Sequence, residues 1–119
     1  VKQEVAGQYI FEPQVSAEGA VTIIAEPLNL PDSGWWEFKI TLDAHSVELN
    51  EDLTKAAVLA DERGEEYKAV SWEGAAPGGH HRQGTLKFNS VLPKPQTVIL
   101  KIKGVGGVEE RVFKWAINK

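Results

Sequence analysis

Residues 35–43 read WWEFKITLD, in which Trp36, Phe38, Ile40 and Leu42 alternate with Glu37, Lys39, Thr41 and Asp43. Successive side chains of a strand point to opposite faces, so this stretch is a strand with one apolar and one polar face. The same period recurs on both sides of it. Val21, Ile23 and Ala25 share a face in GAVTIIAEPL, and Leu86 and Phe88 do so in GTLKF. Further on, TVILKIK aligns Val98, Leu100 and Ile102, and ERVFKWAIN aligns Phe113, Trp115 and Ile117. EYKAVSW reads as one more strand, with Val70 and Trp72 on one side.

Turn chemistry separates these runs: Pro31-Asp32-Ser33-Gly34, Asp61-Glu62-Arg63-Gly64, Pro77-Gly78-Gly79 and Pro93-Lys94-Pro95. Gly106-Gly107 supplies the positive φ angles that a tight hairpin wants. Short alternating runs between frequent turns predict an all-β antiparallel sandwich of seven to eight strands. One segment has two readings. In NEDLTKAAVLADERG, Asn50 can cap a helix along which Leu53, Ala56, Ala57 and Ala60 recur at helical spacing. The preferred reading is a strand over 55–60 that turns at Glu62-Arg63-Gly64 toward Tyr67. The whole chain, 1–119, reads as a single domain, with 1–19 as a loosely attached N-terminal strand.

With 42% hydrophobic and 25% charged residues the composition is that of a globular domain able to bury a core. A net charge of −4 argues against nucleic-acid binding, which needs a basic stripe to neutralise phosphates. There is no cysteine, hence no disulfide framework, thiolate site or cysteine nucleophile. No apolar run approaches the ~18 residues a membrane helix needs. A chain that opens on Val1 and holds no Met reads as a trimmed or processed form.

The segments TLDAHSVEL and GGHHRQGTLKF, with the order LxDERGxxY, a Trp, GxLxF and a closing hairpin, resemble uncharacterised immunoglobulin-like domains. Those domains occur on exported or lipid-anchored bacterial and archaeal proteins. The resemblance spans about residues 20–117. It implies an immunoglobulin-like sandwich in an extracytoplasmic setting, secreted, periplasmic or anchored at the cell surface, and carries no activity with it.

The three histidines are the chemical handle. The alternation loses phase after Leu42 and resumes at Val47 and Leu49, which predicts a bulge or bend re-aiming His45. His80 and His81 follow Gly78-Gly79 at a strand entrance. If both segments reach one end of the sandwich, the imidazoles can share a Zn²⁺, Cu²⁺ or Ni²⁺ ion, with Asp43 or Glu73 completing or orienting the set. Adjacent strand residues face opposite ways, so His45 with one of the pair is the easier site to build. Arg82 beside the pair disfavours a cation, and hydrogen bonding to loop carbonyls is the competing role for these histidines.

Trp36, Trp72 and Trp115 read as core, whereas Trp35 opens its strand facing outward and is a candidate anchor for a protein partner or carbohydrate. Catalytic signatures are lacking. There is no G-x-S-x-G, Walker loop or calcium ladder, and Ser46 beside His45 is a poor nucleophile–base pair. The expected function is a non-catalytic extracytoplasmic binding module with a histidine metal site. The alternative is a structural accessory or protein-interaction domain with no ligand site.

Overall fold

The computed structural model of the chain describes residues 3–5, 8–30 and 34–117. Strands β1 (Gln3–Val5) and β2 (Gln8–Ile10) form a two-stranded antiparallel ribbon. The rest is two antiparallel sheets packed as an immunoglobulin-like sandwich. One sheet has the order β3-β4-β5-β9-β8 and the other β11-β10-β6-β7. The strands of the first are β3 (Gln14–Glu18), β4 (Val21–Pro27), β5 (Trp35–Ala44), β8 (Ser71–Gly74) and β9 (His81–Asn89). Those of the second are β6 (Ala57–Asp61), β7 (Glu66–Lys68), β10 (Thr97–Val105) and β11 (Val108–Ala116). The two sheets hold nine strands, one more than the seven to eight expected, because EYKAVSW divides between β7 and β8.

The alternation of WWEFKITLD is realised: Trp36, Phe38, Ile40 and Leu42 are buried, while Trp35, Lys39 and Asp43 are exposed. β5 lies between β4 and β9, so its inner residues meet those of both neighbours. Phe38 packs edge-on against Phe88 at 5.7 Å and meets Trp115 of the opposite sheet at 5.6 Å. Each such ring removes a large apolar area from water, worth about 3 kcal/mol. β10 and β11 close through Gly106-Gly107, with φ of 66° and 78°, as the mirror-image turn of a two-residue hairpin requires.

Three local expectations change. The 51–60 segment divides its two readings: Leu53–Ala56 is a single helical turn, α1, and the strand begins at Ala57. Its cap is Asp52, not Asn50, accepting from the Thr54 N–H at 3.0 Å and the Thr54 hydroxyl at 2.7 Å. Those bonds hold the Asp52 carboxyl below its ordinary value. EYKAVSW is not one strand: β7 belongs to one sheet and β8 to the other, and Val70, at the crossing, is exposed. Residues 14–18 pair fully with β4, so they are an edge strand of the sandwich rather than a loose attachment. The turn expected at Pro31-Asp32-Ser33 lies outside the described residues.

Candidate functional site

The β5–α1 and β8–β9 connections do reach the same end of the sandwich. Register pairing of β5 with β9 ends at Asp43 and His81, so the two loops leave side by side. Backbone bonds then stitch them together. Ala44 N–H donates to His80 O at 2.8 Å, Leu49 N–H to Gly79 O at 2.9 Å, and Gly78 N–H to Leu49 O at 2.8 Å. Leu49 itself is fully buried. Its seat explains the resumption of apolar phase after the bend at His45–Val47.

Arg82 holds this end from within. It sits in an inward register position and is 1% exposed. Its Nη1 donates to Glu51 O at 2.8 Å and Leu49 O at 3.2 Å, and its Nη2 donates to Ala75 O at 3.2 Å. The guanidinium lies 5.5 Å from the Trp72 ring, whose Nε1 donates to the same Ala75 O at 2.8 Å. Gly84 makes room for that indole, since a Cβ there would fall 2.7 Å from Trp72 Cζ2 and from Gly74 Cα. Burial pushes the guanidinium below its usual range, opposed by the charges of Glu51 and Asp52. The sequence reads Arg82 only as a positive charge that disfavours a cation beside the histidines. It is the internal tie of both loops, and its shared phase with Leu86 and Phe88 was the signal available in the sequence.

The histidines divide. His81 Nδ1 meets Asp43 Oδ1 in a short hydrogen bond across the β5–β9 register, both side chains being more than half exposed. His80 contributes its carbonyl to the loop stitch, and its side chain is exposed. His45 is exposed in the bend two residues past Asp43. Glu73, on the edge strand, faces Lys87 at 3.6 Å rather than the histidines. Among the described residues no three histidine, aspartate or glutamate side chains converge as a metal-ion cage. The geometry brings together Asp43 and His81, with His45 and His80 on the flanking chain.

Trp35 lies at the opposite end, 48% exposed, with Lys87 Nζ 5.0 Å from its ring centroid. Leu28 and Leu92 are also exposed near this end, where Leu28 N–H donates to Glu37 O and Ser90 N–H to Gly34 O. Trp36 and Trp115 are core as expected, and Trp72 is half-buried at the sheet edge.

Two further polar anchors went unread in the sequence. Arg111, also 1% exposed, donates to Ser16 O, Glu18 O and Val105 O, each at 2.9 Å, joining β11 to β3 and to the hairpin end. Asp61 is buried and accepts from Arg63 N–H, Arg63 Nη2, Glu65 N–H and the Tyr67 hydroxyl, which builds the β6–β7 turn. Burial alone would raise its carboxyl, but the Glu65 and Arg63 donors outweigh it and hold the group below its ordinary value. DERG did announce the turn, though not the burial.

No protein-family model, curated protein or solved structure matches the chain. Among the described residues no helix is long and apolar enough to cross a membrane.

Proposed function

We propose that the protein is a non-catalytic, extracytoplasmic binding module that takes one transition-metal ion, Zn²⁺, Cu²⁺ or Ni²⁺, at the Asp43–His81 pair. The hydrogen bond between Asp43 and His81 Nδ1 is the observation that carries this reading. A carboxylate on Nδ1 favours the tautomer with its proton there, which leaves the Nε2 lone pair for a metal. Asp43 is then the orienting group, and His45 and His80 are the imidazoles near enough in the chain to complete the coordination. The stitched loops support a site of this kind, because a rigid base lowers the cost of ordering ligands on binding. The extracytoplasmic setting rests on the resemblance of TLDAHSVEL and GGHHRQGTLKF.

Calorimetric titration of the tag-free protein with Zn²⁺, Cu²⁺ and Ni²⁺ tests the reading. One ion binds per chain at micromolar affinity or tighter, His81→Ala abolishes binding, and Asp43→Asn weakens it by roughly 10–100-fold. Binding that is absent, or that survives His81→Ala, sinks the metal site. The second reading, an accessory or protein-interaction domain docking through Trp35, then takes its place. Its support is a large ring left half-exposed on β5, toward the end of the sandwich where Leu28 and Leu92 are also exposed.

A further inference from the structure

The edges of the two sheets differ in length. β7 and β8 end their sheets with three and four residues, whereas β11 ends its sheet with nine. A short edge is a poor template for another strand and a long one is a ready template. Backbone groups alternate in direction along an antiparallel strand. Ile117 N–H donates to Gln96 O, so the odd-numbered residues turn toward β10. Lys114 turns away from it. Its N–H donates to Gln14 Oε1 at 3.0 Å, and its carbonyl accepts from Gln14 Nε2. Val112 and Glu110 continue that outward-turned row.

The Gln14 contact shows what this edge takes. A side-chain amide that accepts from the N–H and donates to the carbonyl of one residue reproduces a single rung of an antiparallel ladder. Among the described residues β3 and β11 form no ladder of their own. They are tied through side chains, Arg111 reaching Ser16 O and Glu18 O, and Trp115 Nε1 reaching Glu12 O. The side chains of the outward row are self-complementary. Val112 is 50% exposed, and Glu110 and Lys114 are exposed on either side of it. With β11 laid antiparallel on itself and Val112 opposite Val112, Glu110 falls opposite Lys114 on both sides. Even residues then face even residues, so each opposite pair exchanges both backbone hydrogen bonds.

We propose that β11 pairs with β11 of a second copy of this chain across a two-fold axis, and that Gln14 is the latch which the incoming strand displaces. The two four-stranded sheets then run on as one, with both Glu110–Lys114 pairs and the Val112 pair on its outer face. The interface is isologous, so it closes at two chains. Gln14 sets its strength, because the second strand must first replace an amide already seated on the Lys114 backbone.

Analytical ultracentrifugation of the full chain over a concentration series tests this, with a chelator present so that no metal-bridged association contributes. The weight-average mass rises from the 13.1 kDa monomer toward a plateau at two chains. Gln14→Ala removes the latch and tightens the dimer by roughly tenfold, the worth of about one net hydrogen bond. Glu110→Lys and Lys114→Glu each oppose like charges on both sides of the axis, so each variant alone is monomeric. Their equimolar mixture dimerises again, because every opposite pair is then of unlike charge. Melting temperatures show that the variants fold, and the Val112 amide gains protection from hydrogen exchange as the dimer forms. A Gln14→Ala chain that dimerises no more tightly than wild type, association that continues past two chains, or charge variants that fail to pair on mixing would each overturn the proposal.

Discussion

Arg82→Met keeps the aliphatic stem against Leu42 and Trp72 but removes the guanidinium, and so isolates what the buried charge does. Glu51 O loses its Arg82 donor, which costs about 2 kcal/mol for a shielded carbonyl. Leu49 O retains Gly78 N–H and Ala75 O retains Trp72 Nε1–H, so together they add only about 1 kcal/mol. Loss of the cation over the Trp72 ring adds about 1 kcal/mol. Against this, methionine relieves the desolvated charge and an Nε–H that has no partner among the described residues, returning about 1 kcal/mol. The expected net loss is about 3 kcal/mol, a fall in melting temperature of about 12 °C at roughly 4 °C per kcal/mol for a domain of this size. Urea unfolding followed by tryptophan fluorescence measures it, with an unchanged slope showing that the denatured state is not what moved. A loss below about 1 kcal/mol, or a gain, would refute the view that Arg82 ties the two loops together, since hydrophobic replacement of a poorly compensated buried ion is often neutral or stabilising.

Arg111→Met removes donors to Ser16 O, Ser16 Oγ, Glu18 O and Val105 O, and a larger loss than for Arg82→Met is expected in the same assay. The protein loses stability in acid because Asp61, Asp52 and Glu62 are held below their ordinary values in the folded state. A depressed carboxyl contributes stability above its unfolded value, near 3.8 for Asp61, and loses it as pH falls through the lower folded value. Thermal melts from pH 7 to pH 2 therefore bend downward from about pH 4, and Asp61→Asn gives a shallower acid limb with lower stability at pH 7. Gly84→Ala drives a Cβ to 2.7 Å from Trp72 Cζ2 and 2.8 Å from Glu73 O, so a cost of about 2–3 kcal/mol is expected by chemical denaturation. Substitution by alanine at Gly64, where none of the described residues lies within 4 Å of the added carbon but φ is +86°, is the comparison that separates contact from backbone conformation.

Strand identity and facing are local properties, and so the sequence alone determined them. A period of two decides which side chains face inward whatever lies opposite, which is why Trp36, Phe38, Ile40 and Leu42 were legible, as were Val98, Leu100 and Ile102. The same rule failed at EYKAVSW, where the alternation continues across a crossing between sheets, and only the pairing of Glu66–Lys68 with β6 and of Ser71–Gly74 with β9 divides it. Arg82 and Arg111 occupied inward phases in the sequence too, yet a cation there is acceptable only if carbonyls converge on it. Most of those carbonyls come from residues 31 and 33 positions away for Arg82 and 93 and 95 away for Arg111, with Ala75 O and Val105 O the nearer ones. Asp43 and His81 are 38 residues apart, and their meeting is a consequence of β5–β9 register. The chain thus declares which faces are apolar through short-range periodicity, whereas the polar ties and the candidate site arise from long-range register, because hydrogen bonds need partners that only the assembled sheets bring within reach.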